Sequence, residues 1–184
     1  MIAAAGGKTM RTRQMTTTKR IALAGLLSSL AVALGYLLTA IPNVELMTLT
    51  VFVSGALLGA RGGMLVGVVS MLIYSIANPM GAAIPLVTVS QVAGLGIVGA
   101  AGAAAPSIRR VWKGRAVRNI IFAGAGLLLT IAYDFLTNLA LGLSMGTVVV
   151  VLATGLLFSV VHVVSNALIF FFLADELLSI QQRL

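Results

Sequence analysis

The 184-residue chain has no cysteine, one histidine, one tryptophan and four acidic residues. The missing cysteine excludes disulfides, thiolate metal sites and a cysteine nucleophile. Charged residues make up 9% of the chain, against about 25% in a typical soluble domain. A soluble domain of this size needs a polar shell that so few polar residues cannot build. A disordered chain needs low hydrophobicity, whereas 60% of these residues are hydrophobic. The composition is that of an integral membrane protein small enough to be one domain.

The same scarcity removes the usual enzyme templates. One histidine and two candidate carboxylates are too few for an ordinary metal site. His162 has Ser159 and Ser165 near it in sequence, but no sharp nucleophile turn surrounds them. Paired aspartates of the kind that hold magnesium for diphosphate chemistry are missing. Gly7-Lys8-Thr9 has Ile2 where a phosphate loop has its first glycine, and no strand precedes it. The chain is expected to be no enzyme, with no cofactor of its own.

What the chain does have is long apolar runs. A spanning helix needs about 20 mostly apolar residues. Residues 20–39, 84–104, 119–140 and 147–173 meet that requirement. Residues 45–60 and 63–77 are two shorter runs separated by Arg61-Gly62-Gly63. Each is short of the membrane core, which leaves one kinked span or a re-entrant pair as alternatives to two spans, and the positive charges argue against a single span. With six spans, all twelve Lys and Arg fall on one side, in 1–20, 61–63, 105–118 and 174–184. The opposite loops, 40–44, 78–83 and 141–146, contain none. By the positive-inside rule both termini are cytoplasmic. Five spans would put Arg61 inside the bilayer. The expected architecture is therefore an all-α bundle of six transmembrane helices. Residues 1–18 form a flexible basic tail, and 19–184 a single transmembrane domain. The net charge of +8 reports orientation. The basic segment around Trp112 suits anionic headgroups, so no nucleic-acid partner is needed.

Polar groups at depth carry the functional signal. Glu45, Asn78, Gln91, Asp134 and Asn138 all fall in the outer half of the membrane, on several helices. Asp134 and Asn138 are four apart and share a helix face. A carboxylate within a span costs about 2.5–3.5 kcal/mol at mid-helix, so Asp134 needs a cavity or a partner. An outward-opening polar pocket accounts for the set. His162 and Asn166, also four apart, are expected deeper, as an interhelical hydrogen-bonding pair. The first span carries small residues at Gly25, Ser29 and Ala33, which permit close helix approach in lipid.

Several runs together resemble a known family. They are Thr39-Ala40-Ile41-Pro42-Asn43-Val44-Glu45-Leu46, Gly55-Ala56-Leu57-Leu58-Gly59-Ala60-Arg61-Gly62-Gly63, Asn78-Pro79-Met80-Gly81, Tyr133-Asp134-Phe135-Leu136-Thr137-Asn138 and Ser165-Asn166. In this order, over about residues 20–175, the chain resembles the substrate-binding S component of an energy-coupling factor (ECF) transporter. The resemblance implies capture of a vitamin or related micronutrient from outside a prokaryotic plasma membrane. It implies association with a transmembrane coupling protein and two cytoplasmic ATPases, which use the ATP, and a toppling motion that delivers substrate inward. By the same resemblance the pocket falls to Asn43, Glu45, Asn78, Gln91, Asp134 and Asn138. Docking to the coupling protein falls to Ala24 and Ser28, or Gly25 and Ser29, in place of the family's paired alanines. The outer-loop pattern most resembles S components for cobalamin-like corrinoids. One or two pocket carboxylates also suit a cationic vitamin such as thiamine. A stand-alone small carrier or a membrane scaffold is the alternative.

Overall fold

The computed structural model describes residues 15–78, 81 and 84–181. Most of the basic tail, Pro79-Met80 of the predicted turn, and Arg183 lie outside the described residues. Every regular element is helical: α1 (Thr17–Leu37), α2 (Met47–Ile76), α3 (Pro85–Ala101), α4 (Ala105–Val111), α5 (Arg115–Met145), α6 (Val148–Ile169) and α7 (Asp175–Gln181). A short 3-10 turn, Gly102–Ala104, joins α3 to α4, and a π-helical segment, Phe170–Ala174, joins α6 to α7. Among the described residues five stretches are long and apolar enough to cross a membrane: 17–37, 47–76, 85–111, 115–145 and 148–180. Large apolar side chains cover their outer faces, among them Ile21, Leu26, Val149 and Leu157, which suits a lipid surround.

The stretch 47–76 is not a straight rod. Gly59 has φ 78 and ψ 173, a conformation essentially reserved for glycine. A straight helix would hold Met47 and Tyr74 about 40 Å apart. Here both pack on Gly35, with the methyl of Met47 and the ring of Tyr74 each reaching the space a β-carbon there would take. A β-carbon on Gly63 would likewise collide with the backbone of Gly55. The chain therefore reverses at Gly59, and residues 47–58 and 60–76 form two antiparallel arms. They correspond to the two short apolar runs of the sequence.

Glycines seat these arms on α3. A β-carbon at Gly99 would strike the Gly63 carbonyl, and one at Gly102 the Phe52 carbonyl. Without a hydrophobic drive between helices in lipid, this close backbone approach is a main source of association. Phe52 lies in the core against Phe122 and Phe170, with ring centroids 6.2 and 5.1 Å away.

Helix ends differ from the sequence reading in three places. The basic segment 105–118 is helical except at 112–114, because Pro106 sits in the first turn of α4, where its missing N–H is not needed. Helix α5 runs to Met145 instead of 140 and ends on Gly146 in the left-handed conformation, a common helix stop. The C-terminal polar segment continues as α7.

Lys19, Arg20, Arg61, Arg109, Arg110, Lys113, Arg115 and Arg118 gather at one end of the bundle. There the Arg20 guanidinium donates to the carbonyl of Leu58, just before the reversal. Asp175, at the start of α7, is buried between two arginines. Arg118 donates from Nε to its Oδ1 and from Nη2 to its Oδ2, each at 2.8 Å. Arg109 Nε lies 3.2 Å from Oδ1. Arg115 pairs with Glu176 at the surface. This cluster ties α4, α5 and α7 together.

Candidate ligand-binding site

The opposite end holds a cavity of about 730 Å³. Its walls come from the α1–α2 connection, both arms of α2, α3, α5 and α6. The α1–α2 connection is held by long-range hydrogen bonds. Asn43 takes a left-handed φ of 59, which Asn tolerates better than most residues. Its Nδ2 donates to the Phe158 carbonyl at 3.0 Å, and its own carbonyl accepts from Ser165 Oγ at 2.9 Å. The loop is thereby fastened to α6, and Glu45 is carried into the wall.

Three ionisable groups meet there. His162 Nδ1 lies 2.7 Å from Asp134 Oδ1, and His162 Nε2 lies 3.6 Å from Glu45 Oε1. The second carboxylate oxygen of Glu45 accepts from the Thr48 N–H at 2.8 Å and satisfies a free donor of the first turn of α2. Asn166 Nδ2 donates to Glu45 Oε1 at 3.2 Å. The Tyr133 ring stands edge-on to the imidazole, centroids 6.1 Å apart. Asp134 Oδ2 is buried with no hydrogen-bond partner among the described residues.

Of the six residues expected in the pocket, Asn43, Glu45, Gln91, Asp134 and Asn138 line this one cavity. Asn78 follows α2, half-buried, and is not among the described residues that line it. The amides and the carboxylates are used differently. Asn43 holds the loop, Asn138 Nδ2 donates to Ser159 Oγ at 3.2 Å, and Gln91 Oε1 accepts from Ser75 Oγ at 3.3 Å. The amides fix the walls, whereas the carboxylates converge on the imidazole.

One depth expectation needs correction. His162 and Asn166 are not a separate, deeper pair. They bond to Asp134 and Glu45, because antiparallel α5 and α6 bring residues 134 and 162 level. Tyr74, Tyr133 and Phe158 also line the cavity. The missed signal for His162 was elimination. With no Lys or Arg near Asp134 in the membrane, the one histidine of the chain is the partner left to find.

On α1, Ser28 is buried and Ala24 partly buried against α2, while Gly25 and Ser29 are exposed. A β-carbon on Gly25 would meet nothing. One small-residue pair thus packs into the bundle and the other is exposed.

Among the described residues the fold is all-helical, with five helices of membrane-crossing length and character and a polar cavity at one end. Comparison with protein families, curated proteins and solved structures gives no match.

Proposed function

We propose that the chain is the membrane-embedded substrate-binding subunit of an ATP-driven ECF importer. In this reading it captures a vitamin or related micronutrient from outside a prokaryotic plasma membrane. It delivers the substrate inward with a transmembrane coupling protein and two cytoplasmic ATPases. The observation that carries the reading is the cavity closed by Glu45, Asp134 and His162, at the end of the bundle away from the basic residues. If the basic end faces the cytoplasm, as the positive-inside rule requires, the cavity opens outward. The volume falls in the roughly 300–1,000 Å³ range that encloses drug-sized ligands. A vitamin of that size fits, and a corrinoid would leave part of itself outside.

The reversal at Gly59 supports counting 47–58 and 60–76 as two short crossings, which makes six spans with both termini cytoplasmic. Because the chain has no cysteine, Arg61→Cys provides a unique label. A membrane-impermeant maleimide should react with it in inverted vesicles and not in intact cells. Reaction in intact cells would reject the topology. The exposed Gly25 and Ser29 face of α1 is our choice for the coupling protein, since Ser28 is occupied within the bundle.

Function is tested by reconstitution. The purified chain in liposomes should bind substrate and transport none, and uptake should need the coupling protein, the ATPases and ATP. Full uptake by this chain alone without ATP would make it a stand-alone carrier.

A further inference from the structure

The charge of the cavity narrows its ligand. Glu45, Asp134 and His162 face it, and no lysine or arginine occurs among its described lining residues. With both carboxylates ionised, the trio sums to −2 when the imidazole carries one proton and to −1 when it carries two. Either way a negative charge stays uncompensated in a partly buried site, where Coulomb interactions are several times stronger than in water. The hydrogen bonds leave the same excess. His162 hydrogen-bonds Asp134 Oδ1 and only approaches Glu45 Oε1 at 3.6 Å, and Asp134 Oδ2 is buried without a partner among the described residues. The amides of Asn43 and Asn138 donate elsewhere, and Asn166 donates to Glu45 and leaves Asp134 Oδ2 unserved. Apolar and aromatic contact comes from Tyr74, Tyr133 and Phe158. Aromatic faces attract cations as well as flat rings.

We propose that this site takes a small ligand with a positively charged, donor-rich head joined to a planar or apolar body. The head lies between Asp134 and Glu45, and the body packs on the aromatic side chains. The inference rests on the binding-subunit reading and adds the sign of the ligand's charge. Neutral ligands lose the charge-assisted bonds, which are roughly twice as strong as neutral ones. Anions meet like-charge repulsion.

The test uses three near-isosteric probes: benzamidine (cation), benzamide (neutral) and benzoate (anion). Binding is followed by ligand-observed NMR on the full chain in an uncharged maltoside detergent, with probes at millimolar concentration. Benzamidine should bind at least tenfold more tightly than benzamide, and benzoate most weakly. The preference should vanish in the Glu45→Gln, Asp134→Asn double variant. Both replacements keep side-chain shape, and the thermal melt of the variant checks that it folds. Equal binding of the three, preference for benzoate, no binding of any, or a preference that survives in the folded double variant would each overturn the proposal. The binding-subunit reading fails separately. A neutral or anionic compound released one-to-one from the purified protein sinks the charge assignment and leaves that reading standing, whereas ATP-independent uptake sinks the reading.

Discussion

Replacing Glu45 by Gln and Asp134 by Asn together is expected to weaken binding of the native ligand by at least about 100-fold, while the protein still folds. A hydrogen bond to a charged group is worth about 1.5–3 kcal/mol. Losing two removes roughly 3 kcal/mol or more, and each 1.4 kcal/mol is tenfold in affinity. The replacements keep volume, and their amides can still bond His162. Thr48 N–H keeps an oxygen acceptor at position 45. The loss therefore falls on the ligand and spares the fold. Isothermal titration with the compound recovered from the wild-type protein reads the effect. An affinity within threefold of wild type would mean that the ligand sits elsewhere.

The second large effect is on stability, at the other end of the bundle. Asp175→Ala should lower stability by about 3 kcal/mol, because removing one partner of a buried ion pair leaves the others uncompensated. Asp175 faces both Arg109 and Arg118, whose side chains are themselves 11% and 15% exposed. Without the carboxylate two guanidinium groups confront each other, and α7 loses its anchor to α4 and α5. Arg115→Ala, by contrast, removes an exposed pair with Glu176 and should cost at most about 1 kcal/mol. Thermal melts in detergent compare the two. Equal, small shifts would show that the cluster is surface decoration.

The helices and the polar character of the cavity were legible in the sequence because both are written in local composition. Apolar runs marked the helices, and Arg61-Gly62-Gly63 marked the break that the chain makes at Gly59. Polar residues in or at the edge of apolar runs marked four of the cavity's lining residues, Glu45, Gln91, Asp134 and Asn138, and the family resemblance added Asn43. What was not legible depends on contacts far apart in sequence. Glu45 meets Asn166 across 121 residues, and only the seating of the first loop on α6 brings them together. The i, i+4 spacing of His162 and Asn166 gave their shared face, but their level is set by how α5 packs on α6. The length of α5 was misjudged at 140, although Gly146 was an available stop signal. The two small pairs on α1 are one residue apart in register, and only packing against α2 separates the buried pair from the exposed one.

The central claim is that this cavity holds a small molecule through Glu45 and Asp134. Native mass spectrometry of the wild-type and double-variant proteins, purified side by side from cells grown in rich medium, tests it most directly. The account predicts a one-to-one small-molecule adduct on the wild-type protein that is missing from the folded variant. No adduct on the wild type, or the same adduct at equal occupancy on both, would contradict it.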